Sequence, residues 1–599
     1  MTRTKSRVIR PSVRALRLPL AFIAGLAAFL LLPQIRESLA LTASFAGVSS
    51  VLAIWLVQLR VAARAAKRAL RVEVVLRPQH YLQAIAHASI FVYWGIYWPP
   101  IREAAPLIAG QIVFAYAFDM LLAWSRRDDY TFGFGPFPII FSTNLFLRFH
   151  DDWFYLQFVM IAVGFLAKEL ITWEKDGRRT HIFNPSSFTL ALLSLGLIVT
   201  GTSRITWGTE IATLLILPPH IYLFIFLVAL PGQFLFRVTA MTLPAVLTTY
   251  AFSLIYLKLT GTYFFFDSYV PIAVFLGMHL LFTDPSTAPR TELGRIIYGV
   301  LYGLSVVGLY WLLGRLGAPT FYDKLLQVPF LNLMVRAIDR AVRARPLVWL
   351  SPERIGAALA PRLRSAAYVS LWILAFGALS AAHGVGDYHP GHTVPFWEQA
   401  CRDGRRDACR NLATIEAKHC DDGSGWACNE LGILGATGLA VTPPADRLFQ
   451  RACSSGFVAG CQNAAIASNH GSPFKRDEPR LQEFPIVLRE GKGVADDRTP
   501  FDIYTRACRQ GWAAGCGSLA GFYVQGSGVT ADKPRAAAMW EQACAGGHAR
   551  SCSNLGFMYN VGDGVAKDGS RARALLRRAC ELGFSDACRW LTEQSRTTS

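Results

Sequence analysis

All twelve cysteines of this chain lie in its last third, in six pairs of one spacing. The pairs are Cys401 with Cys409, Cys420 with Cys428, Cys453 with Cys461, Cys508 with Cys516, Cys544 with Cys552 and Cys580 with Cys588, each C-x7-C; the first 400 residues contain none. Structural zinc sites use shorter C-x-C spacings or interleaved histidines, and neither occurs here. A disulfide in each repeat is the simplest reading, against a metal site or reduced thiols. Stable disulfides require an oxidising compartment, so the cysteines state on which side of a membrane the C-terminal third is expected.

The rest of the chain is what makes a membrane relevant. The 599 residues are 52% hydrophobic, with mean hydropathy +0.31, and the apolar residues concentrate before residue 385. Near-continuous apolar runs occur at Leu18–Leu32, Ser38–Leu59, Ala105–Trp124, Phe154–Ala167 and Ile296–Leu313. A membrane-spanning helix needs about 20 such residues, and on that basis about 12 to 13 spans are expected between Leu18 and His383. Some are short, so broken or re-entrant helices are expected where protein buries them. Leu18–Leu32 follows a basic segment without a convincing small-residue cleavage site, and reads as an uncleaved first helix.

The net charge of +19 does not point to nucleic acid, because the basic residues gather in short loops beside apolar runs. They occur at Arg3 to Arg17, Arg60 to Arg71, Arg126/Arg127, Lys175 to Arg179, Arg336 to Arg345 and Arg362/Arg364. That is the positive-inside pattern, with a cytoplasmic N-terminus. Arg60 to Arg71 has helical spacing and is expected to touch anionic headgroups. Spans from Ile296 to Leu313 and from roughly Tyr322 to Arg336 are expected to return the chain to the cytoplasm, and a last span, Ala366 to Ala382, to deliver the cysteine-rich part to the far side.

From Pro395 the chain repeats. Leu519, Tyr523, Gly526, Asp532, Ala536, Ala543 and Gly547 recur 36 residues later as Leu555, Tyr559, Gly562, Asp568, Ala572, Ala579 and Gly583. A period in the mid-thirties with small residues at helix contacts means antiparallel helix pairs stacked as an α-solenoid. An insertion is expected near His470 to Arg489. The segment LGFMYNVGDGVAKDGSRARALLRRACELGFSDAC resembles Sel1-like repeats of the cysteine-rich secreted variety, over about Pro395 to Leu591. The resemblance implies disulfides that join consecutive helices, and a protein partner.

Two motifs stand out in the apolar half. His181-Ile-Phe-Asn-Pro-Ser-Ser-Phe188 carries a helix start: asparagine caps, and proline occupies the first turn. Phe282-Thr-Asp-Pro-Ser-Thr-Ala-Pro-Arg290, followed by Thr291, Gly294, Arg295 and Tyr298-Gly299, is a polar, proline-rich loop between apolar runs. With Phe330-Leu-Asn-Leu-Met-Val-Arg-Ala-Ile-Asp-Arg340, these motifs resemble the RnfD/NqrB family of membrane electron-transport subunits, best from about Arg178 to Arg340 and more faintly from Gln79. The resemblance implies a cofactor site at Asn184, Pro185, Thr283, Asp284, Pro285, Ser286, Thr287 and Arg290, and other membrane redox subunits as partners. The family's Ser-Gly-Ala-Thr/Ser flavin acceptor is absent, so covalent FMN is not expected; no cofactor is assigned, and a non-covalent flavin or quinone stays open.

Other polar residues in apolar surroundings are Lys168 and Glu169, expected to pair, and Asp119, His87, His220 and His279, read chiefly as structural. Tyr130 to Phe149 reads as a glycine-broken helix. No metal site is expected, and His383 to Thr393 reads as a polar linker. No hydrolase, phosphate-loop or zinc-protease motif is present, so whether the chain is an enzyme stays open.

The expected fold class is all-α: a polytopic transmembrane helix bundle followed by a disulfide-bonded α-solenoid of Sel1/TPR-like helix pairs. The divisions are an N-terminal hairpin with a basic helix (1–78), an RnfD/NqrB-like domain (79–340), a basic linker (341–365), a final span (366–383), a linker (384–394), the repeats (395–591) and a tail (592–599). The expected location is a bacterial inner membrane, with the lipid bilayer as one partner and the repeats in the periplasm. The expected function is a membrane redox component with a protein-binding domain. The alternative is a non-redox anchor or transporter-like scaffold that displays the solenoid.

Overall fold

A computed structural model of the protein describes residues 7–9, 16–175, 177–266, 268–344, 349, 352, 360–386, 391, 394–421, 424–455, 457–467, 474, 501, 504–505, 508, 513–526, 529–582 and 584–597. Most of the 341–365 linker, most of the His383 to Thr393 segment and nearly all of the insertion near His470 to Arg489 lie outside the described residues. The chain divides into two compact units. The first comprises Met1–Ile255 with Tyr269–Asp387, the second Tyr256–Ser268 with Tyr388–Ser599.

The first unit is built from α1 (Arg17–Ala28), α2 (Leu39–Ala65), α3 (Pro78–Tyr97), α4 (Ala105–Arg126), α5 (Pro136–Phe146), α6 (Tyr155–Leu170) and α7 (Pro185–Thr200). They are followed by α8 (Gly208–Leu214), α9 (Ile221–Phe236), α10 (Thr239–Thr260), α11 (Ile272–Leu280), α12 (Glu292–Arg315), α13 (Gln327–Arg343) and α14 (Pro361–Ala381). Among the described residues, five helical stretches are long and apolar enough to cross a membrane: Leu39–Ala65, Pro99–Arg126, Thr239–Thr260, Glu292–Arg315 and Arg362–Ala381. Arg17–Leu31, Pro185–Thr200 and Ile221–Phe236 are apolar but shorter. By length and composition that is fewer than the 12 to 13 spans expected. The remaining apolar runs fold as short or interrupted helices.

The return after α12 is the clearest interruption. The expected span from Tyr322 to Arg336 is instead a 3-10 turn, Thr320–Lys324, followed by α13. Contacts register α13 antiparallel to α12. Tyr302 Oη reaches the Lys324 carbonyl at 3.5 Å, Asn332 donates to Tyr298 Oη at 2.9 Å, and Thr291 Oγ1 donates to Asp339 at 3.4 Å. So α13 ends where α12 begins. At that same end Tyr368, in α14, donates to the Glu292 carboxylate at 3.2 Å.

The interface of α10 and α12 depends on small residues. A Cβ on Gly299 would lie 2.2 Å from the Met241 carbonyl, and one on Gly303 2.8 Å from that of Ala245. Two glycines four residues apart thus let the backbones touch, as small-x-x-x-small pairs do between membrane helices.

Five expectations need correction. The fold is not purely α: β1 (Arg7–Ile9), β2 (Arg71–Val74) and β3 (Asp129–Phe132) form one small sheet, and β4 (Thr172–Lys175) and β5 (Arg178–His181) a hairpin. Arg60 to Arg71 is not one helix. α2 ends at Ala65, Lys67 takes a left-handed φ of 50°, and Arg71 opens β2. Arg68 in the turn pairs with Asp128 at 2.7 Å and donates to the Trp124 carbonyl at 2.7 Å. Glu169 pairs with Arg127 and, at 3.6 Å, Arg126, because the end of α4 meets the end of α6. Its sequence neighbour Lys168 lies over the Phe165 ring at 5.4 Å. Finally, α14 begins at Pro361, inside the expected linker, and Tyr130 to Phe149 divides between β3 and the buried α5.

The second unit is the repeat domain: α15 (Val394–Arg402), α16 (Ala408–Asp421), α17 (Gly425–Ala436), α18 (Ala445–Ser454) and α19 (Val458–Ala467), then α20 (Ala513–Gln525), α21 (Lys533–Ala545), α22 (Ala549–Val561), α23 (Gly569–Glu581) and α24 (Ser585–Thr597).

All six C-x7-C pairs are disulfides, and each cysteine named in the sequence has the partner its spacing assigns. Cys401 bonds to Cys409 and ties α15 to α16; Cys420 bonds to Cys428 and ties α16 to α17. Cys453 bonds to Cys461 across the turn from α18 to α19, and Cys508 bonds to Cys516 near the start of α20. Cys544 bonds to Cys552 and joins the end of α21 to the start of α22, and Cys580 bonds to Cys588 between α23 and α24. Neither a metal site nor free thiols occur among them.

The sequence repeat becomes a repeat of bonds. Asp532 and Asp568 cap α21 and α23, and their own N–H groups donate to Tyr523 and Tyr559. Arg535 lies over the Tyr523 ring at 4.7 Å and Arg571 over Tyr559 at 4.5 Å. Ala536, Ala543, Ala572 and Ala579 are buried between helices, where small side chains permit close packing.

Candidate functional site

The three motif segments of the first unit, far apart in sequence, meet at one end of its helices. Asn184 caps α7: its Oδ1 accepts from the Ser186 and Ser187 N–H groups at 3.1 and 3.3 Å. Its Nδ2 donates to the Leu281 carbonyl at 3.0 Å, just past α11, and its N–H donates to Asn332 Oδ1 at 3.1 Å. Asn332, 0% exposed, donates in turn to Tyr298 Oη at 2.9 Å and to the Thr287 carbonyl at 3.4 Å. One asparagine of α13 therefore joins α7, α12 and the polar loop. Pro185 begins α7 and packs its carbonyl close to Gly164 of α6.

The polar loop folds around Asp284. Its carboxylate accepts from the Ser286 N–H at 3.0 Å and the Ser286 hydroxyl at 2.6 Å, and from the Thr287 hydroxyl at 3.4 Å. His181 Nε2 lies 3.6 Å from the carboxylate and 3.0 Å from Ser286 Oγ. Burial alone would push the Asp284 carboxyl up. The His181 ring, through its hydrogen bond and charge, and the Ser286 hydroxyl and N–H outweigh burial and hold it at about 2, below its ordinary 3.8. His80, in the first turn of α3, lies within electrostatic reach of Asp284, His181 and Lys168. Thr283 turns inward, its hydroxyl donating to the His279 carbonyl at 2.7 Å, and Pro285 lies in the turn. The Arg290 backbone N–H donates to Asp339 at 3.0 Å, while its side chain is exposed.

The structure thus brings Asn184, Pro185, Thr283, Asp284, Pro285, Ser286, Thr287 and Arg290 into one region. The polar side chains of Asn184, Thr283, Asp284, Ser286 and Thr287 are all engaged with protein groups. Their bonding is that of a brace between helices. His181, Tyr298, Asn332 and Asp339 complete it; their segments stood out in the sequence, but no spacing rule pairs Asn184 with Asn332.

A second polar feature was not legible. Asp323 and Lys324, 2% and 4% exposed, form an ion pair at 3.0 Å in the 3-10 turn before α13. Gln327 is buried three residues further, and neither of its side-chain amide atoms meets a partner among the described residues. Of the histidines, His87 binds the Gln83 carbonyl and Ser142 at 2.6 and 3.0 Å, a structural role. His279 binds the Phe275 carbonyl through Nδ1 at 2.7 Å and stacks on Trp372.

Comparison with known proteins places the repeats. The Sel1 repeat model matches residues 514–548 and 549–584. No curated protein matches the chain. Among solved structures, Helicobacter pylori cysteine rich protein B aligns at 34% identity over 15% of this chain and 66% of its own, just under two thirds, with a TM-score of 0.15. A Sel1 repeat protein from Oxalobacter formigenes aligns at 16% identity over 32% of this chain and 72% of its own, with a TM-score of 0.16. A protective antigen of uropathogenic Escherichia coli with an SLR fold aligns at 14% identity over 68% and 88%, with a TM-score of 0.18.

Proposed function

We propose that this chain is a membrane-anchored protein-binding module. The first unit crosses a bacterial inner membrane and holds the repeat domain in the periplasm, where the solenoid takes a protein partner. The observation that carries the reading is the division of chemistry between the units: six disulfides in one, and helices long and apolar enough to cross a bilayer in the other. Disulfides need an oxidising compartment. Stacked Sel1-type helix pairs offer an extended surface, and such surfaces generally bind proteins.

Chain direction supports the same topology. The end of the first unit that carries Asn184, Asp284 and Glu292 also carries Arg295, which donates to the Arg237 carbonyl at 2.8 Å, and Arg364 beside Glu292 at 3.6 Å. Basic residues cluster there, as they do on cytoplasmic faces. From that end α14 leads to the repeats.

The polar hub is, on this reading, the brace that fixes α7, α12 and α13 to one another. Its groups are committed to protein partners, which does not fit a cradle for an isoalloxazine or quinone ring. A second reading, a membrane redox component with other redox subunits as neighbours and a non-covalent flavin or quinone, is supported by the order of the RnfD/NqrB-like motifs and by their convergence.

The absorbance spectrum of the detergent-purified protein, before and after acid precipitation, separates the two. A colourless protein with intact disulfides is expected. Flavin bands released by acid, or a haem Soret band, would overturn the anchor reading in favour of the redox one.

A further inference from the structure

The segment Tyr256–Ser268, the last turn of α10 and the start of the connection to α11, belongs to the repeat unit. We infer that this segment is the N-terminal cap of the solenoid, and that the surface it covers, the first helix pair, is reserved for this part of the same chain. Four contacts carry the inference. Arg405 Nη1 donates to the Gly261 carbonyl at 3.0 Å, and the Thr262 hydroxyl donates to the Arg406 carbonyl at 3.2 Å. The Phe266 ring stacks on Trp397 at 5.7 Å and 22°, and Tyr263 meets Phe396 at 5.1 Å. Thr262, Tyr263, Phe265 and Ser268 are buried, as is Trp397.

Both arginines lie inside the short loop closed by Cys401–Cys409. The cap thus grips the first disulfide turn and the first helix together.

Two physical arguments support a required cap. In a solenoid each repeat buries its apolar face on its neighbours, so the terminal unit needs a different covering. Here that unit carries Phe396 and Trp397, which would face water without it. Phe266 also takes φ 72°, a left-handed conformation that is costly for an aromatic residue and persists where surroundings over-determine it. Stacking on Trp397 supplies that constraint. The repeat domain is therefore tied to the apolar helices at two places in the chain, through α14 and through this loop, and a partner protein must bind beyond the first helix pair. The inference does not depend on whether the first unit binds a cofactor.

The test is made on the full-length chain. In the double variant Tyr263→Ser/Phe266→Ser the rate at which each disulfide is reduced is followed by alkylation and mass mapping. Loss of two aromatic contacts should speed reduction of Cys401–Cys409 about three- to tenfold through local opening, leaving Cys544–Cys552 and Cys580–Cys588 at the unsubstituted rate. An unchanged Cys401–Cys409 rate, or equal acceleration of all six bridges, would overturn the inference. A second variant, with a photo-crosslinking phenylalanine analogue at Phe266, does not depend on destabilisation. It should crosslink to the peptide containing Trp397. Crosslinks confined to the helices flanking the loop, or to lipid, would contradict a cap.

Discussion

The two units solve the problem of holding helices together in opposite ways. The first packs large aromatic and aliphatic side chains and joins its helix ends with buried polar groups: Asn184 to Asn332, Asn332 to Tyr298, Asp339 to Thr291. The second packs alanines and glycines and joins its helices covalently, with disulfides across their turns. On the proposed reading the first unit lies in a bilayer, where lipid is as apolar as leucine, so polar contacts and close backbone approach would orient its helices. A thin repeat with few large core residues lacks buried area, and cross-links compensate. Each unit should therefore be fragile where the other is robust.

Breaking the buried ion pair has the largest expected effect. Lys324→Met leaves the Asp323 carboxylate buried without its counter-charge and should destabilise the first unit by about 3–5 kcal/mol. Calorimetry of the purified protein should show its transition displaced downward and that of the repeats in place. Adding Asp323→Leu to Lys324→Met should restore most of the loss.

The converse holds in the second unit. Replacing Cys544 and Cys552 together by alanine removes one loop constraint and should cost about 2–3 kcal/mol. Protease susceptibility should rise near α21 and α22, with the first unit unaffected. Excess reductant should likewise loosen only the repeats. A matching loss in the first unit would break the contrast.

Asn332→Ala comes next. It leaves the Asn184 N–H and the Thr287 carbonyl without this partner, and should cost about 1–3 kcal/mol. Heating in detergent with separate reporters on the two units would show which one moves.

The smallest effect is on pH dependence. The Asp284 carboxyl is depressed to about 2 from an ordinary 3.8, so its contribution is fully present above the ordinary value and is lost as pH falls through about 2. In a pH series of melting temperatures, Asp284→Asn should show a flatter acid limb than the unsubstituted protein.

Much of the repeat unit was legible because its constraints are local in sequence. The C-x7-C spacing assigned all six bridges, from Cys420–Cys428 and Cys453–Cys461 in the less regular units to Cys508–Cys516 and the two that follow. The 36-residue recurrence included Asp532 and Asp568, and the structure shows both as helix caps. The first unit was legible in outline only. Asn184-Pro185 marked a helix start because capping is local, but the partner of that asparagine, Asn332, lies on another helix, and hydropathy carries no information on such pairs. The return segment misled for a related reason. Apolar Tyr322 to Arg336 hides a 3-10 turn held by Tyr302 and a buried Asp323–Lys324 pair. Gly299 and Gly303 were a readable small-x-x-x-small signal whose meaning required the neighbouring Met241 and Ala245 backbone. The segment Tyr256–Ser268 carries no motif, and its partners at Phe396 and Trp397 are remote in sequence.

The division between an apolar anchor and an oxidised repeat domain is tested most directly by topology and thiol state together. In sealed right-side-out vesicles, protease added outside should cut within the repeats, and a maleimide should label cysteines only after reduction. In inside-out vesicles the repeats should be protected. Labelling without reduction, or cleavage of the repeats only from the cytoplasmic face, would contradict a periplasmic, disulfide-stapled module.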